Sequence, residues 1–262
     1  MAAVLKNAAR ERLDRGELAL GVILRQARTV DIAPIMQSCG YDWLFLDLEH
    51  NSMDLDTAVQ IAVAALGAGI APVARVPARQ LWMATRILDG GGLGIVVPHV
   101  DTAAQAKRIA DAFHYPPAGT RSWGGSAALY SYQTPEVGEA QHAINNEILT
   151  TVMIESPEAV RNAAEIAAVP GIDVLLFGSF DLTTELGIPG QMGHQKLIDA
   201  YQTVGDACRA HGKILGMGGI NDNDDAARFI RMGCRYVLTG ADHGFVIAGA
   251  SAKANFMKAQ VN

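Results

Sequence analysis

Cysteine is scarce. Cys39, Cys208 and Cys234 are the only three in 262 residues, an odd number with no CxxC pair. That argues against a disulfide framework and for a reducing compartment. Charge is also sparse, at 18% of residues, and the net value of −6 with a pI near 5.6 comes without any basic run. Nucleic acid is therefore excluded as a partner. No apolar stretch reaches the length of a membrane span; "GLGIVVPHV" is too short and carries proline and histidine. The opening "MAAVLKNAARERLDRGE" is amphipathic and lacks the apolar core of a signal peptide. There is no GxSxG elbow, and the glycines of "DGGGLG" and "GMGGIND" fit neither GxGxxG nor a phosphate loop. Low-complexity segments and linkers are missing as well. These absences leave a soluble, cytoplasmic globular protein.

What is present is apolar residue, half of the chain, in a repeating order. Short runs read as strands at 19–24, 43–48, 71–76, 94–98, 149–155, 173–178, 213–218 and 235–240. Helical patterns lie between most of them, at 29–40, 55–69, 81–91, 102–114, 156–171, 194–212 and 221–233, several ending in glycine. Near-continuous apolar strands, each followed by a helix, predict a parallel sheet covered on its faces. Eight such units in about 250 residues predict a (β/α)₈ barrel, one domain over 1–262. A doubly wound sheet is the alternative, because periodicity does not reveal sheet closure. The stretch 115–148 is too long for an ordinary connection and reads as a functional loop or as extra helices.

In a barrel, the C-terminal ends of the strands face the site. Read only there, the chain offers Asp47, Glu49 and His50 after the second strand and Arg75 at the end of the third. Glu155 closes the fifth, and Asp181 follows the sixth. Singly, each has a structural explanation: a surface ion pair for Arg75, a helix cap for Asp181. Together, on one face, they point to a site. Glu155 and Asp181 come from adjacent strands with no Cys/His cluster beside them. All-oxygen ligation suits Mg²⁺ or Mn²⁺, leaving positions for a chelating 2-oxo acid whose developing enolate the metal stabilises as a Lewis acid. The six lysines (Lys6, Lys107, Lys196, Lys213, Lys253 and Lys258) avoid the strand C-termini, so a Schiff-base mechanism lacks its nucleophile. Of the histidines, His50 stands in the densest polar company; His99 could face the pocket, and His243 is ambiguous. Asp54 precedes a helix as its cap or first-turn acid.

These residues resemble the HpcH/HpaI aldolase family of class II, metal-dependent pyruvate aldolases, over nearly the whole chain. "GYDWLFLDLEHNSMD" resembles the family's G-[FY]-D-W-x-x-x-D-x-E-H segment, and "VARVP" its V-x-R-x-P/N. "VVPHVDTAAQAKRIADAFHYPPAGTRSWG" is similar to its V-P and Y-P-P-x-G-x-R stretch. "VMIES" and "FGSFDLT" are similar to its two metal-ligand segments. The resemblance implies a pyruvate-type (β/α)₈ barrel assembled as a homo-hexamer, a trimer of dimers, with the last helix swapped between subunits. It implies Glu155 and Asp181 as ligands of Mg²⁺ or Mn²⁺, with Co²⁺ a further candidate. It makes Arg75 the enolate-stabilising contact, His50 the general acid/base, and Asp89 the partner of that histidine from a neighbouring subunit. Backbone amides of Gly178, Ser179 and Phe180 are implied to hold the pyruvate carboxylate.

The chain departs from the family at Met153, where relatives carry glutamine, and at the bulky Phe180. It also departs at Arg25 and Arg28 after the first strand, and in the glycine-rich "GMGGIND". Arg25 or Arg28 reads as a clamp for an acidic acceptor aldehyde, or as a surface ion pair with Asp31. The leading reading is an enzyme, a carbon–carbon lyase that cleaves or forms 4-hydroxy-2-oxo acids to give pyruvate or a close analogue and an aldehyde. The alternatives are an oxaloacetate decarboxylase or another C–C bond-forming synthase using the same enolate, and a barrel that has lost catalysis and binds a metabolite.

Overall fold

The computed structural model describes residues 4–125 and 127–261. Eight parallel strands close a barrel in sequence order: β1 (Ala19–Leu24), β2 (Trp43–Asp47), β3 (Ala71–Arg75), β4 (Gly94–Val97), β5 (Leu149–Ile154), β6 (Val174–Gly178), β7 (Ile214–Gly218) and β8 (Tyr236–Ala241). β1 pairs with both β2 and β8, which completes the ring and excludes the doubly wound alternative. Every residue of β2, β3, β4 and β5 is buried. The reason is the architecture: one strand face fills the interior and the other lies under helices.

The lower half of the barrel is sealed by aromatic packing. Trp43 stacks on Tyr236 at 4.0 Å between ring centroids, across Gly21. A Cβ at Gly21 would stand 2.1 Å from the Trp43 indole, so only glycine lets the ring lie there. Burying one such ring contributes about 4–6 kcal/mol of transfer free energy. Below it, Asn7 caps the helix Ala8–Asp14 and donates its side-chain amide to the carbonyls of Leu93 and Glu147, tying the N-terminal segment across the barrel floor.

Helix boundaries follow local chemistry. Asp54 caps Leu55–Ala68 by accepting from the Thr57 amide, and the helix stops at Gly69, which takes the left-handed conformation. Ser156 caps the next helix on its strand, accepting from Ala159 and donating to Asp101. Two expectations need correction, and one pair of open alternatives is resolved. The helix expected over 156–171 is two short ones, Pro157–Arg161 and Ala163–Ala167, broken at Asn162, whose side chain bonds the Asp101 carbonyl. The 115–148 stretch, where two alternatives stood open, holds a 3₁₀ turn, Ala127–Tyr130, and an extra helix, Val137–Glu147. A further helix, Ser179–Glu185, starts directly at the end of β6, so Asp181 lies in its first turn and does not cap it.

The last helix, Asp242–Lys258, differs from all others. Only Asp242 in it is buried. Val246 and Ile247 are 68% and 61% exposed, and Phe256 and Met257 are 60% and 54% exposed. It leaves the barrel instead of covering it. No helix among the described residues is long and apolar enough to cross a membrane.

Candidate active site

The second and third strands run in register to their ends, with Asp47 opposite Arg75. That register makes an ion pair. Arg75 donates Nε to Asp47 Oδ1 at 3.0 Å and Nη2 to Oδ2 at 2.6 Å, a two-point clamp. Its third nitrogen, Nη1, stands 3.3 Å from Glu49 Oε2, and its guanidinium lies over the Phe45 ring. Both Asp47 and Arg75 are buried. Burial alone would raise the Asp47 pKa. The Arg75 hydrogen bonds and charge, with the backbone amides of Glu49 and His50, more than reverse this and hold it below the ordinary carboxylate range. Those amides also turn the chain sharply after β2. The turn leaves the His50 imidazole half exposed, with Nε2 3.7 Å from Glu49 Oε2. These contacts make Asp47 and Glu49 supports of the loop and of the imidazole.

Across the barrel, Glu155 is buried and accepts the His99 backbone amide at 2.8 Å. His99 adopts a positive φ of 55°, rare for a residue with a Cβ, and this turns its N–H onto the carboxylate. Its Nδ1 is 3.3 Å from Glu155 Oε2, and the ring does not line the cavity. Glu155 is pushed up to about 7, first by burial and also by the negative charge of Asp181; His99 and Arg75 oppose the shift. Glu155 thus lies within the field of the Asp181 carboxylate, and both line one cavity. Gly178 makes the room: a Cβ there would stand 2.3 Å from Glu155 Oε1. This cradle suits a hard divalent cation, held by two oxygens with the other positions left to water and substrate. Among the described residues, no group of three or more His, Cys, Asp and Glu side chains is gathered as a metal site. Glu155 and Asp181 are the pair the sequence indicated.

A cavity of about 940 Å³ opens at these strand ends. It brings together Arg25, His50, Arg75, Glu155, Gly178, Ser179, Phe180 and Asp181. Ser179 is buried with its hydroxyl 3.0 Å from Tyr201 Oη, and Phe180 is half exposed against Gly219. Met153 lines the wall, an apolar side chain beside the Glu155 carboxylate's strand end. Arg28 is outside the lining. Its Nη1 donates to the carbonyls of Arg25 and Ala27, and Nη2 donates to Ser52. Asp89 also lies outside, at a helix end, where it accepts from Arg121 at 2.7 Å.

Sequence reasoning missed Asp242. Its buried carboxylate accepts from the amides of Arg25, Gln26 and Ala27 and from His243. Burial acts to raise its pKa, and these four amides outweigh burial and hold it low. Its position directly after β8 was the signal, the same one that singled out His243.

Residues 22–248 match the HpcH/HpaI aldolase/citrate lyase family. The chain is 34% identical to a 4-hydroxy-4-methyl-2-oxoglutarate aldolase of Hapsidospora irregularis over 251 residues, covering 94% of this chain and 92% of that protein. It is 32% identical to the 2-keto-3-deoxy-L-rhamnonate aldolase of Escherichia coli K12 over 242 residues, covering 92% and 90%. Its fold superposes on the crystal structure of an HpcH/HpaI aldolase from Desulfitobacterium hafniense with a TM-score of 0.87, at 28% identity and 95% coverage of both chains.

Proposed function

Because the chain belongs to the HpcH/HpaI aldolase/citrate lyase family and is a carbon–carbon lyase of the aldolase type, we propose that it cleaves a 4-hydroxy-2-oxo acid to pyruvate and a carbonyl compound, or joins them. One observation carries this reading. A clamped arginine, an accessible histidine and two carboxylates line one cavity at the C-terminal mouth of the barrel. Glu155 and Asp181 hold the divalent cation that the family implies, Mg²⁺ or Mn²⁺ by the all-oxygen donor set. A bound cation supplies Lewis-acid polarisation of the 2-oxo carbonyl.

The chain's own residues do the rest. The amides of Gly178, Ser179 and Phe180 at the start of the helix after β6 hold the pyruvate carboxylate. Arg75, its other donors fixed by Asp47 and Glu49, stabilises negative charge building on the reacting oxygen without moving. His50 takes the proton from the C4 hydroxyl in cleavage and returns it in synthesis, with Glu49 beside it to steady the imidazole. The apolar floor of Phe45, Met153, Phe177 and Leu238 keeps bulk water from the carbanion. The names of the two curated relatives share a 2-oxo acid and differ beyond it, so the acceptor is this chain's own matter.

The exposed apolar residues of the last helix support a homo-hexamer in which that helix covers a neighbouring barrel. Asp89, outside its own cavity, partly exposed and paired with Arg121, is the carboxylate that would meet the His50 of a neighbour. Three unpaired cysteines suit the cytoplasm. Pyruvate released from a 4-hydroxy-2-oxo acid, lost on chelation and restored by Mg²⁺ or Mn²⁺, tests the proposal; release that survives complete chelation sinks its metal part.

A further inference from the structure

We propose that His99 is a positioning residue for the cation site: its backbone amide and its ring together hold one oxygen of Glu155, so that the other is presented to the metal. This rests on the reading of Glu155 and Asp181 as the ligands, and it assigns the residue that stands behind one of them.

The two carboxylates are not held alike. Asp181 is exposed, in the first turn of the helix after β6. Glu155 is buried, directly after β5. The fixed member of the pair is therefore Glu155, and its seat sets the geometry. Its Oε2 accepts the His99 amide at 2.8 Å, and His99 Nδ1 stands 3.3 Å from that same oxygen. Its Oε1 lies on the Gly178 side, where a Cβ would come within 2.3 Å of it. Glu155 and Gly178 line the cavity and His99 does not. One oxygen is thus turned away to His99 and the other is left on the cavity side. A ligating carboxylate gains affinity when a donor outside the coordination sphere fixes its orientation in this way.

The backbone of His99 supports the same assignment. Its φ of 55° is a conformation that favours glycine. Glycine would deliver the same amide to Glu155 at less cost. The imidazole does not fill core space either, because its side chain is 56% exposed. A side chain kept at a strained and exposed position points to a use, and the atom that the ring meets is the Glu155 carboxylate.

Strain of this kind persists only where the surroundings over-determine it. Here they do. The buried Val100 donates its amide to the Met153 carbonyl at 3.4 Å, and the Asp101 amide donates to Gln105 Oε1 at 2.7 Å. The Asp101 carboxylate accepts from the Ser156 hydroxyl, and its carbonyl accepts from the Asn162 side chain at 2.7 Å. Met153 and Ser156 stand on either side of Glu155 in the chain. The segment after β4 and the segment after β5 are therefore bracketed together around the His99–Glu155 contact.

The test separates the ring from the backbone. His99→Gly keeps the amide, relieves the strain and removes the ring. His99→Asn removes the imidazole but tolerates the left-handed backbone and carries a side-chain amide donor close to where Nδ1 was. Mn²⁺ binding is titrated by electron paramagnetic resonance, and thermal melts are run in chelator. Affinity should fall about tenfold or more in His99→Gly, with the chelated Tm equal to or above wild type, and return to within about threefold in His99→Asn. Exchange of pyruvate methyl protons with solvent deuterium, read on the same preparations, should need about tenfold more Mn²⁺ for half its maximal rate in His99→Gly. Mn²⁺ affinity in His99→Gly within about twofold of wild type overturns the role. So does a fall of its chelated Tm, which would make His99 a support of the fold, and so does an Asn variant no better than the Gly variant. A wild type that binds no Mn²⁺ overturns the cation reading and the positioning role with it, whereas wild-type binding with an unmoved Gly variant overturns the positioning role alone.

Discussion

Replacing Asp47 with asparagine keeps the size of a fully buried side chain and removes its charge. The Arg75 guanidinium, 6% exposed, then loses the carboxylate that meets it at 3.0 and 2.6 Å. Removing one partner of a buried ion pair costs about 3–5 kcal/mol. Glu49, 3.3 Å from the third guanidinium nitrogen, still offers a counter-charge, which puts the loss near the lower end, about 3 kcal/mol. At about 2.1 cal/mol/K of unfolding entropy per residue, 262 residues give about 0.55 kcal/mol/K, so Tm should fall by about 5 °C at pH 7. The sign with pH is fixed. The Asp47 pKa is lowered in the folded state, so its contribution is present above the ordinary value of 3.8 and is lost as pH falls through the lower folded value. The gap between wild type and variant should therefore close in acid. Arg75 would also lose its aim, so pyruvate methyl exchange should drop by about 100-fold or more. Thermal melts followed by circular dichroism across pH, with the exchange assay, read both effects. A Tm within about 1 °C of wild type, or a gap that widens in acid, would refute the clamp as the source of the effect.

Four further outcomes follow from the same geometry. Gly178→Ala puts a Cβ 2.3 Å from Glu155 Oε1, so Mn²⁺ affinity by calorimetry should weaken by about tenfold or more while the fold survives. In metal-free protein, Glu155 sits at about 7 against an ordinary 4.5; the folded state takes up its proton first, so stability should rise by up to about 3 kcal/mol as pH falls from above 7 to 4.5. Glu155→Gln should abolish that rise, and chemical denaturation in a chelator checks both. Asp54→Ala removes the cap on Thr57 N and should cost about 1 kcal/mol, read as a Tm loss of about 2 °C. Val246→Asp with Ile247→Asp should shrink the assembly in light scattering, because these side chains are exposed in the single chain and covered in the proposed hexamer.

Strand positions were legible because a strand buried on both faces has no freedom in composition. "WLFLDL" and "APVARV" end within one residue of where the structure ends β2 and β3. Site residues at strand ends were legible for the same reason: an ionisable group directly after an apolar run has a single place to go. The misreadings have physical causes too. The 156–171 helix keeps its apolar spacing through Asn162, and only that side chain's bond to a distant carbonyl breaks it. Periodicity alone did not mark the last helix, because its apolar residues do not face its own barrel. Asp242 looked like one acid among several; its role depends on three amides more than 200 residues away in sequence, which local spacing cannot reveal. Arg25 and Arg28 looked equivalent, and only the loop geometry turns one into the cavity and folds the other back.

The central claim is that Glu155 and Asp181, with a divalent cation, activate pyruvate for carbon–carbon bond chemistry. Proton NMR of pyruvate in deuterated buffer tests it without any choice of acceptor. Methyl exchange should proceed with Mg²⁺, stop on complete chelation, return on Mg²⁺ addition, and be lost in Glu155→Gln and Asp181→Asn. Exchange that continues at the full rate under chelation, or in either variant, would contradict the account.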